Sequence, residues 1–235
     1  MAFASTTPPA AADRAAPRPP FSAILLDLDG TILDSAPGIT ATLRYMFRAL
    51  GMPVPPQESL MEWVGPPIME SFALRAGMDA ATADRALVVY REKYLDEGAY
   101  DSAMYPGMGM LVQRIAAAGI PLSLATSKPE IPATLMLEHV TIANCFTVIT
   151  GASADETRSA KADVVEEALR RLAALGVDLS NVVMVGDRVH DIEGAARHGV
   201  PTIAVAWGYG SAAEHAHAAA IAHSVDELTR MLGLE

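Results

Sequence analysis

Phe21-Ser22-Ala23-Ile24-Leu25-Leu26-Asp27-Leu28-Asp29-Gly30-Thr31 decides how this chain reads. Its first half is a short apolar run, the pattern of a strand covered on both faces. It stops at a polar break that carries two carboxylates and a glycine. A spacing of two puts Asp27 and Asp29 on the same side of a strand. A pair of acids at the end of a buried strand is the first chemical signal in the chain.

Downstream of this strand the rhythm changes twice. From Pro37 to about Tyr100 the apolar residues recur at helical spacing, as in Ile39, Leu43, Met46, Phe47 and Leu50, and Gly51-Met52-Pro53 stops that helix. Further helical pieces are expected at Leu60–Val64, Ile68–Ala76 and Ala81–Leu95, with no strand among them. From Tyr105 onward, helix and strand alternate. Strands are expected at Pro121–Ala125, Phe146–Thr150, Val182–Val185 and Thr202–Ala206. Helices are expected at Met110–Ala118, Ile131–His139, Lys161–Leu175, Asp191–His198 and Ser224–Leu232. Ser224 and Glu227 form a capping-box pattern at the last of these. Alternation of this kind makes a parallel sheet covered on both faces, an α/β doubly wound core. An all-helical unit is inserted just after its first strand. The expected division is a disordered leader over residues 1–20, a core of residues 21–35 and 105–235, and a helical cap of residues 36–104.

In a doubly wound sheet ligands bind beyond the carboxyl ends of the strands. There the sequence places Asp27 and Asp29, then Thr126-Ser127-Lys128, then Gly186-Asp187 with Asp191 four residues on. Lys161 opens a helix nearby. Two unit charges about 4 Å apart repel by roughly 4 kcal/mol at an effective dielectric near 20. Converging carboxylates therefore need cationic partners, and a hard divalent ion with oxygen ligands fits, Mg²⁺ above all. Asp27, Asp29, Asp187 and Asp191 are the expected metal ligands, and Lys161 adds a second compensating charge. With Asp27 as nucleophile, Asp29 as proton donor and acceptor, and Thr126 on the phosphoryl oxygens, this is phosphoryl-transfer chemistry. Backbone N–H groups near Gly30 and Ser127 are further expected phosphoryl contacts.

The sequence resembles the phosphatases of the haloacid dehalogenase superfamily in all four of that family's motifs, in order. Asp27-Leu28-Asp29-Gly30-Thr31 is similar to motif one, Thr126 in Ala-Thr-Ser-Lys-Pro to motif two, Lys161 to motif three, and Gly186 to Asp191 to motif four. The likeness runs from Phe21 to Glu235 and implies a Rossmannoid core with a helical cap. Trp63-Val64-Gly65-Pro66-Pro67, Arg158-Ser159-Ala160-Lys161 and Trp207-Gly208-Tyr209-Gly210 resemble the phosphoglycolate-phosphatase-like and 5′-nucleotidase-like branch. There the loop at Gly65 contacts substrate, and Gly30, Thr31 and Ser127 are the matching substrate-side residues. By the same analogy Lys161, rather than its rival Lys128, is the motif lysine.

The implied activity is Mg²⁺-dependent hydrolysis of a small phosphorylated metabolite through a phospho-aspartate. A phosphosugar mutase shares the covalent step. A non-hydrolytic phospho-acceptor switch shares the acidic site, but has no use for Asp29 or for a helical insert. The formal charge of −11 over 235 residues argues against a nucleic-acid partner. No run approaches the ~18 apolar residues of a membrane span. With Cys145 the sole cysteine, set in an apolar run and expected to be buried and inert, the cytoplasm is the expected compartment. His190 reads as a packing residue, and His215, His217 and His223 as residues of a solvated helix and strand end. Gly107-Met108-Gly109 lacks the third glycine of a dinucleotide loop.

Overall fold

The computed structural model describes residues 16–234. In chain order the elements are β1 (Ala23–Leu26), β2 (Leu33–Asp34), α1 (Ala36–Ala49), α2 (Gln57–Met61), α3 (Ile68–Leu74) and α4 (Ala80–Lys93). A π turn, Tyr94–Gly98, prolongs α4. Then come β3 (Ala103–Met104), α5 (Met108–Ala117), β4 (Leu122–Pro129), α6 (Glu130–His139), a 3₁₀ turn at Ala143–Cys145 and β5 (Val148–Ala152). The chain ends with α7 (Lys161–Ala174), β6 (Val182–Gly186), α8 (Val189–Ala196), β7 (Thr202–Val205), α9 (Ala212–His215), β8 (Ala220–Ala222) and α10 (Val225–Met231).

Six strands form one parallel sheet in the order β5-β4-β1-β6-β7-β8. The chain leaves β1 toward one edge and returns to build the other, so the strand order reverses beside β1. That reversal opens the crevice where such sheets bind ligands. Along β1 the side chains alternate between two buried clusters. Ile24 and Leu26 join the cluster of Leu111, Ile115 and Leu228, whereas Ala23 and Leu25 join Val164, Ala168 and Leu172 of α7. Burial on both faces is why the strand reads as an unbroken apolar run.

Between Ala36 and Ser102 every element is helical, as the periodicity predicts. The two linkers of this segment pair with each other: β2 and β3 form an antiparallel ribbon, Leu33 opposite Met104 and Asp34 opposite Ala103. Several details differ from the sequence reading. The strand β4 continues through Thr126 to Pro129, with a register shift after Ala125. The strand expected at Phe146 starts at Val148, because a 3₁₀ turn takes up the preceding residues. Cys145 lies in that turn, half-buried rather than buried. Of the proposed disordered leader, residues 1–15 lie outside the described residues. Arg18 and Pro20 are tied down through their carbonyls, which accept from Asn181 Nδ2 at 3.0 and 2.8 Å. Among the described residues no helix is long and apolar enough to cross a membrane.

Candidate active site

Asp27 follows β1 directly, and its N–H continues the sheet by donating to Val185 O at 2.9 Å. Beside it, β6 ends at Gly186 and delivers Asp187, while Asp191 sits in the first turn of α8. One carboxylate oxygen from each of Asp27, Asp187 and Asp191 lies within 4.8 Å of the others, and all three residues are buried. Lys161 at the start of α7 reaches into this group. Its Nζ lies 2.8 Å from Asp27 Oδ1, 2.7 Å from Asp191 Oδ1 and 2.9 Å from Ala125 O.

Three carboxylates against one ammonium leave an excess of negative charge in a buried place. Burial and the neighbouring Asp191 and Asp27 carboxylates push the Asp187 carboxyl well above its ordinary range. Burial raises Asp191 too, against the pull of Lys161. For Lys161 burial acts to lower the pKa, but Asp191 and Asp27 outweigh it and keep the ammonium charged. Asp191 Oδ1 is buried without an aligned hydrogen bond, the Lys161 ammonium being close but off-axis. An all-oxygen, over-charged cluster with one ammonium is what a hard divalent cation suits.

Asp187 is packed about by glycine. Gly30 has φ of +81°, a conformation that L side chains rarely adopt, and a Cβ there would overlap the Asp187 carboxylate. A Cβ on Gly208 would overlap the same side chain. The Tyr209 N–H donates to Asp187 Oδ2 at 2.6 Å, and Thr31 Oγ1 to Oδ1 at 3.4 Å. Tyr209 also reaches back to the linker before α1. Its hydroxyl accepts from the N–H groups of Ser35 (2.8 Å) and Ala36 (3.0 Å) and donates to Asp34 Oδ1 (2.7 Å). Trp207 Nε1 donates to Thr31 O at 3.2 Å, which fixes the loop after β1 from the same side.

The carboxylate of Asp29 lies outside the Asp27, Asp187 and Asp191 group. Ser35 Oγ donates to its Oδ1, and Lys128 Nζ lies 3.0 Å from its Oδ2. Lys128 in turn donates to Tyr94 OH at 2.9 Å and stands over that ring, 4.6 Å from its centroid. The two lysines that compete on sequence thus divide the work, Lys161 on Asp27 and Lys128 on Asp29. Thr126 is buried and accepts from Lys128 N–H at 3.3 Å, which leaves its own hydroxyl proton available. Asp29, Ser127 and Gly65 line one cavity of about 450 Å³ between the helical segment and the sheet. Among the backbone N–H groups near Gly30, that of Gly30 itself donates to Leu33 O at 2.8 Å, because the loop closes on itself. Thr31 likewise faces Asp187 rather than this cavity.

The model of the family described as haloacid dehalogenase-like hydrolase matches residues 24–205, from β1 to the end of β7. The chain belongs to the haloacid dehalogenase-like hydrolases. It is 40% identical over 215 residues to a Mycobacterium tuberculosis protein named tyrosine-protein kinase PtkA, covering 90% of this chain and 72% of that one. It is 36% identical to a Pseudomonas aeruginosa 5′-nucleotidase over 189 residues, 80% of this chain and 84% of the relative. Among solved structures, a predicted phosphatase from Clostridium acetobutylicum superposes with a TM-score of 0.83 at 35% identity, covering 89% of this chain and 97% of that one.

Three site residues of this haloacid dehalogenase-like hydrolase escape the sequence reading. His215, taken as solvated, is buried, and its Nε2 donates to the Asp187 carbonyl at 2.7 Å. Glu214 accepts from Val189 N–H and Arg188 Nε, both at 3.0 Å, and so holds the start of α8. Arg188 Nη1 donates to Val64 O at 2.7 Å, a direct link from the sheet side to the helical segment beside Gly65. The short capping box Ser211 to Glu214 is the one local signal that marks this loop as ordered.

Proposed function

We propose that the protein is a Mg²⁺-dependent phosphatase that hydrolyses small phosphate monoesters through a phosphorylated Asp27. The observation that carries this reading is the position of Asp27, at the end of β1, paired with Lys161 and grouped with Asp187 and Asp191. Asp27, Asp187 and Asp191 would hold the cation, and when bound it would neutralise charge on the phosphoryl oxygens.

The chain's own residues supply the rest. Lys161 holds and aims the Asp27 carboxylate, so an Asp27 oxygen attacks phosphorus in line with the ester oxygen. The Thr126 hydroxyl and the Ser127 region hold the phosphoryl oxygens while the P–O ester bond breaks. Asp29, in its protonated form, gives its proton to the departing alcohol oxygen, and Ser35 and Lys128 hold the carboxylate that remains. It then takes a proton from the water that attacks the aspartyl phosphate, which releases phosphate and regenerates Asp27. The name tyrosine kinase belongs to a relative; phosphorylation of tyrosine requires a phosphoryl donor and an acceptor other than water. Asp29 as proton acceptor for water favours hydrolysis.

The test is phosphate release from a panel of monoesters with Mg²⁺ and with EDTA. Release is expected only with the cation. Asp27→Asn is expected to lower turnover by ~10³-fold or more with an unchanged circular dichroism spectrum, since loss of a nucleophile costs factors of that order. An active Asp27→Asn protein would rule out the covalent route.

A further inference from the structure

The phosphatase reading leaves the body of the substrate unnamed, and the cavity beside Asp29 bears on it. At about 450 Å³ it is far larger than a two-carbon alcohol needs, and it falls in the range of drug-sized pockets. Asp29 and Ser127 lie among its lining residues, so the body attached to the ester oxygen extends into it. Trp63, Ile68, Leu87, Tyr90 and Tyr94 supply wall from the helical segment. Tyr90 and Tyr94 stack with centroids 5.5 Å apart and planes 8° from parallel, and Trp63 is fixed edge-on by Phe47 and Phe72. Tyr94 is covered by Tyr90 and by Lys128, which leaves Trp63, Leu87 and Tyr90 as the wall against which an aromatic ring can pack.

Three of the cationic side chains around the cavity, Arg91, Lys128 and Arg171, are each paired with an internal carboxylate. Arg91 Nη2 lies 2.7 Å from Glu156 and donates to Ala154 O at 3.0 Å, while Lys128 is on Asp29. Arg171 pairs with Glu167 and Glu130, and Arg158 Nη2 donates to Gly151 O at 3.3 Å with Glu130 Oε2 at 3.8 Å. A second anionic group on the substrate would compete with Glu156 for Arg91 or with Glu167 and Glu130 for Arg171. One donor is left over: Arg158 Nε is buried without a partner. That N–H can donate to an acceptor on the substrate, such as a ring nitrogen, a carbonyl or a hydroxyl.

We infer that the substrate is a phosphate monoester whose leaving group carries an aromatic ring, seated against Trp63, Leu87 and Tyr90. This rests on the phosphatase reading above. An aryl phosphate and a nucleoside 5′-monophosphate both meet the description; phosphoglycolate, with two carbons and no ring, does not.

The experiment compares kcat/KM for phenyl phosphate, adenosine 5′-monophosphate, 2-phosphoglycolate and glycerol 2-phosphate in Mg²⁺. At least one aromatic ester is expected to exceed both non-aromatic esters by about tenfold or more, the scale of pocket discrimination. Which aromatic ester leads separates the aryl from the nucleoside source. Leu87→Asp, at a half-buried wall position, and Tyr90→Ala are expected to shrink that ratio mainly through KM of the aromatic ester. Phosphoglycolate or glycerol 2-phosphate hydrolysed as well as the aromatic esters would overturn the inference and leave the phosphatase reading standing. If no ester is hydrolysed, the phosphatase reading fails, and titration calorimetry on the wild-type protein decides the pocket separately. Tighter binding of phenyl phosphate than of phosphoglycolate, weakened by Leu87→Asp, supports it, and equal or absent binding of the two sinks it.

Discussion

At position 30 a Cβ would overlap the Asp187 carboxylate, and the backbone φ of +81° strains any L side chain. Gly30→Ala therefore adds backbone strain to the displacement of the Asp187 carboxylate. A loss of roughly 1–3 kcal/mol of stability is expected, together with weaker Mg²⁺ binding, from thermal melts with and without the cation. Asp187 itself makes a sharper case. Its ionisation is opposed by burial and by two neighbouring carboxylates. Asp187→Asn removes one member of a repelling group, so in EDTA the variant is expected to melt no lower than wild type. In saturating Mg²⁺ the order reverses. Only wild type gains the full linkage stabilisation, which reaches about 2.7 kcal/mol when free cation is a hundred times Kd. A variant that melts well below wild type in EDTA as well would mean that Asp187 supports the fold without any cation.

Among the elements, α7 carries the most at its two ends, with Lys161 in the first turn and Arg171 in the last. Glu167 is held down to about 2 by its hydrogen bonds to Arg170 and Arg171. A depressed carboxylate stabilises the fold above its unfolded pKa and loses that contribution as pH falls through the folded value. Between about pH 4.5 and 2 the wild-type melting temperature is expected to fall more steeply than that of Glu167→Gln. The difference should be small, because these side chains are largely exposed and water screens them. Parallel slopes would show that the pairs contribute nothing. The longer elements were legible from sequence for a physical reason: strands buried on both faces are unbroken apolar runs, and helices of ten or more residues show their period. Ser224 capping α10 by accepting from Glu227 N–H, at 3.1 Å, was equally local. The ribbon of β2 and β3, α9 and β8 are two to four residues long, too short for any period to register. Asp27, Lys161, Asp187 and Asp191 were legible as a group because each closes or opens an element. The partners of Asp29, the buried His215 and the overlap of Gly208 with Asp187 were not, because each depends on which distant loops meet.

On the scale of the whole molecule, the helical segment joins the sheet side at several places. The paired linkers β2 and β3 are one, and Arg188 to Val64 and Arg91 to Glu156 are others. Tyr209 stands where these parts meet, its N–H on Asp187 and its hydroxyl on the linker that opens α1. A single residue that serves both makes cation occupancy and the placement of the segment two readings of one equilibrium. Thermodynamic reciprocity then applies: whatever factor a seated segment adds to cation affinity, the cation adds to seating. Inorganic phosphate, which would bind between the two parts, is expected to tighten Mg²⁺ binding by roughly fivefold or more in the wild-type protein. In Tyr209→Phe, which keeps the N–H and loses the hydroxyl, that factor should fall toward one while Mg²⁺ still binds. An undiminished factor in the variant would mean that the two parts communicate by another route. With the coupling in place, an empty protein would hold its cation loosely and a charged one tightly, so that the ion serves as a gauge of occupancy as well as a reagent.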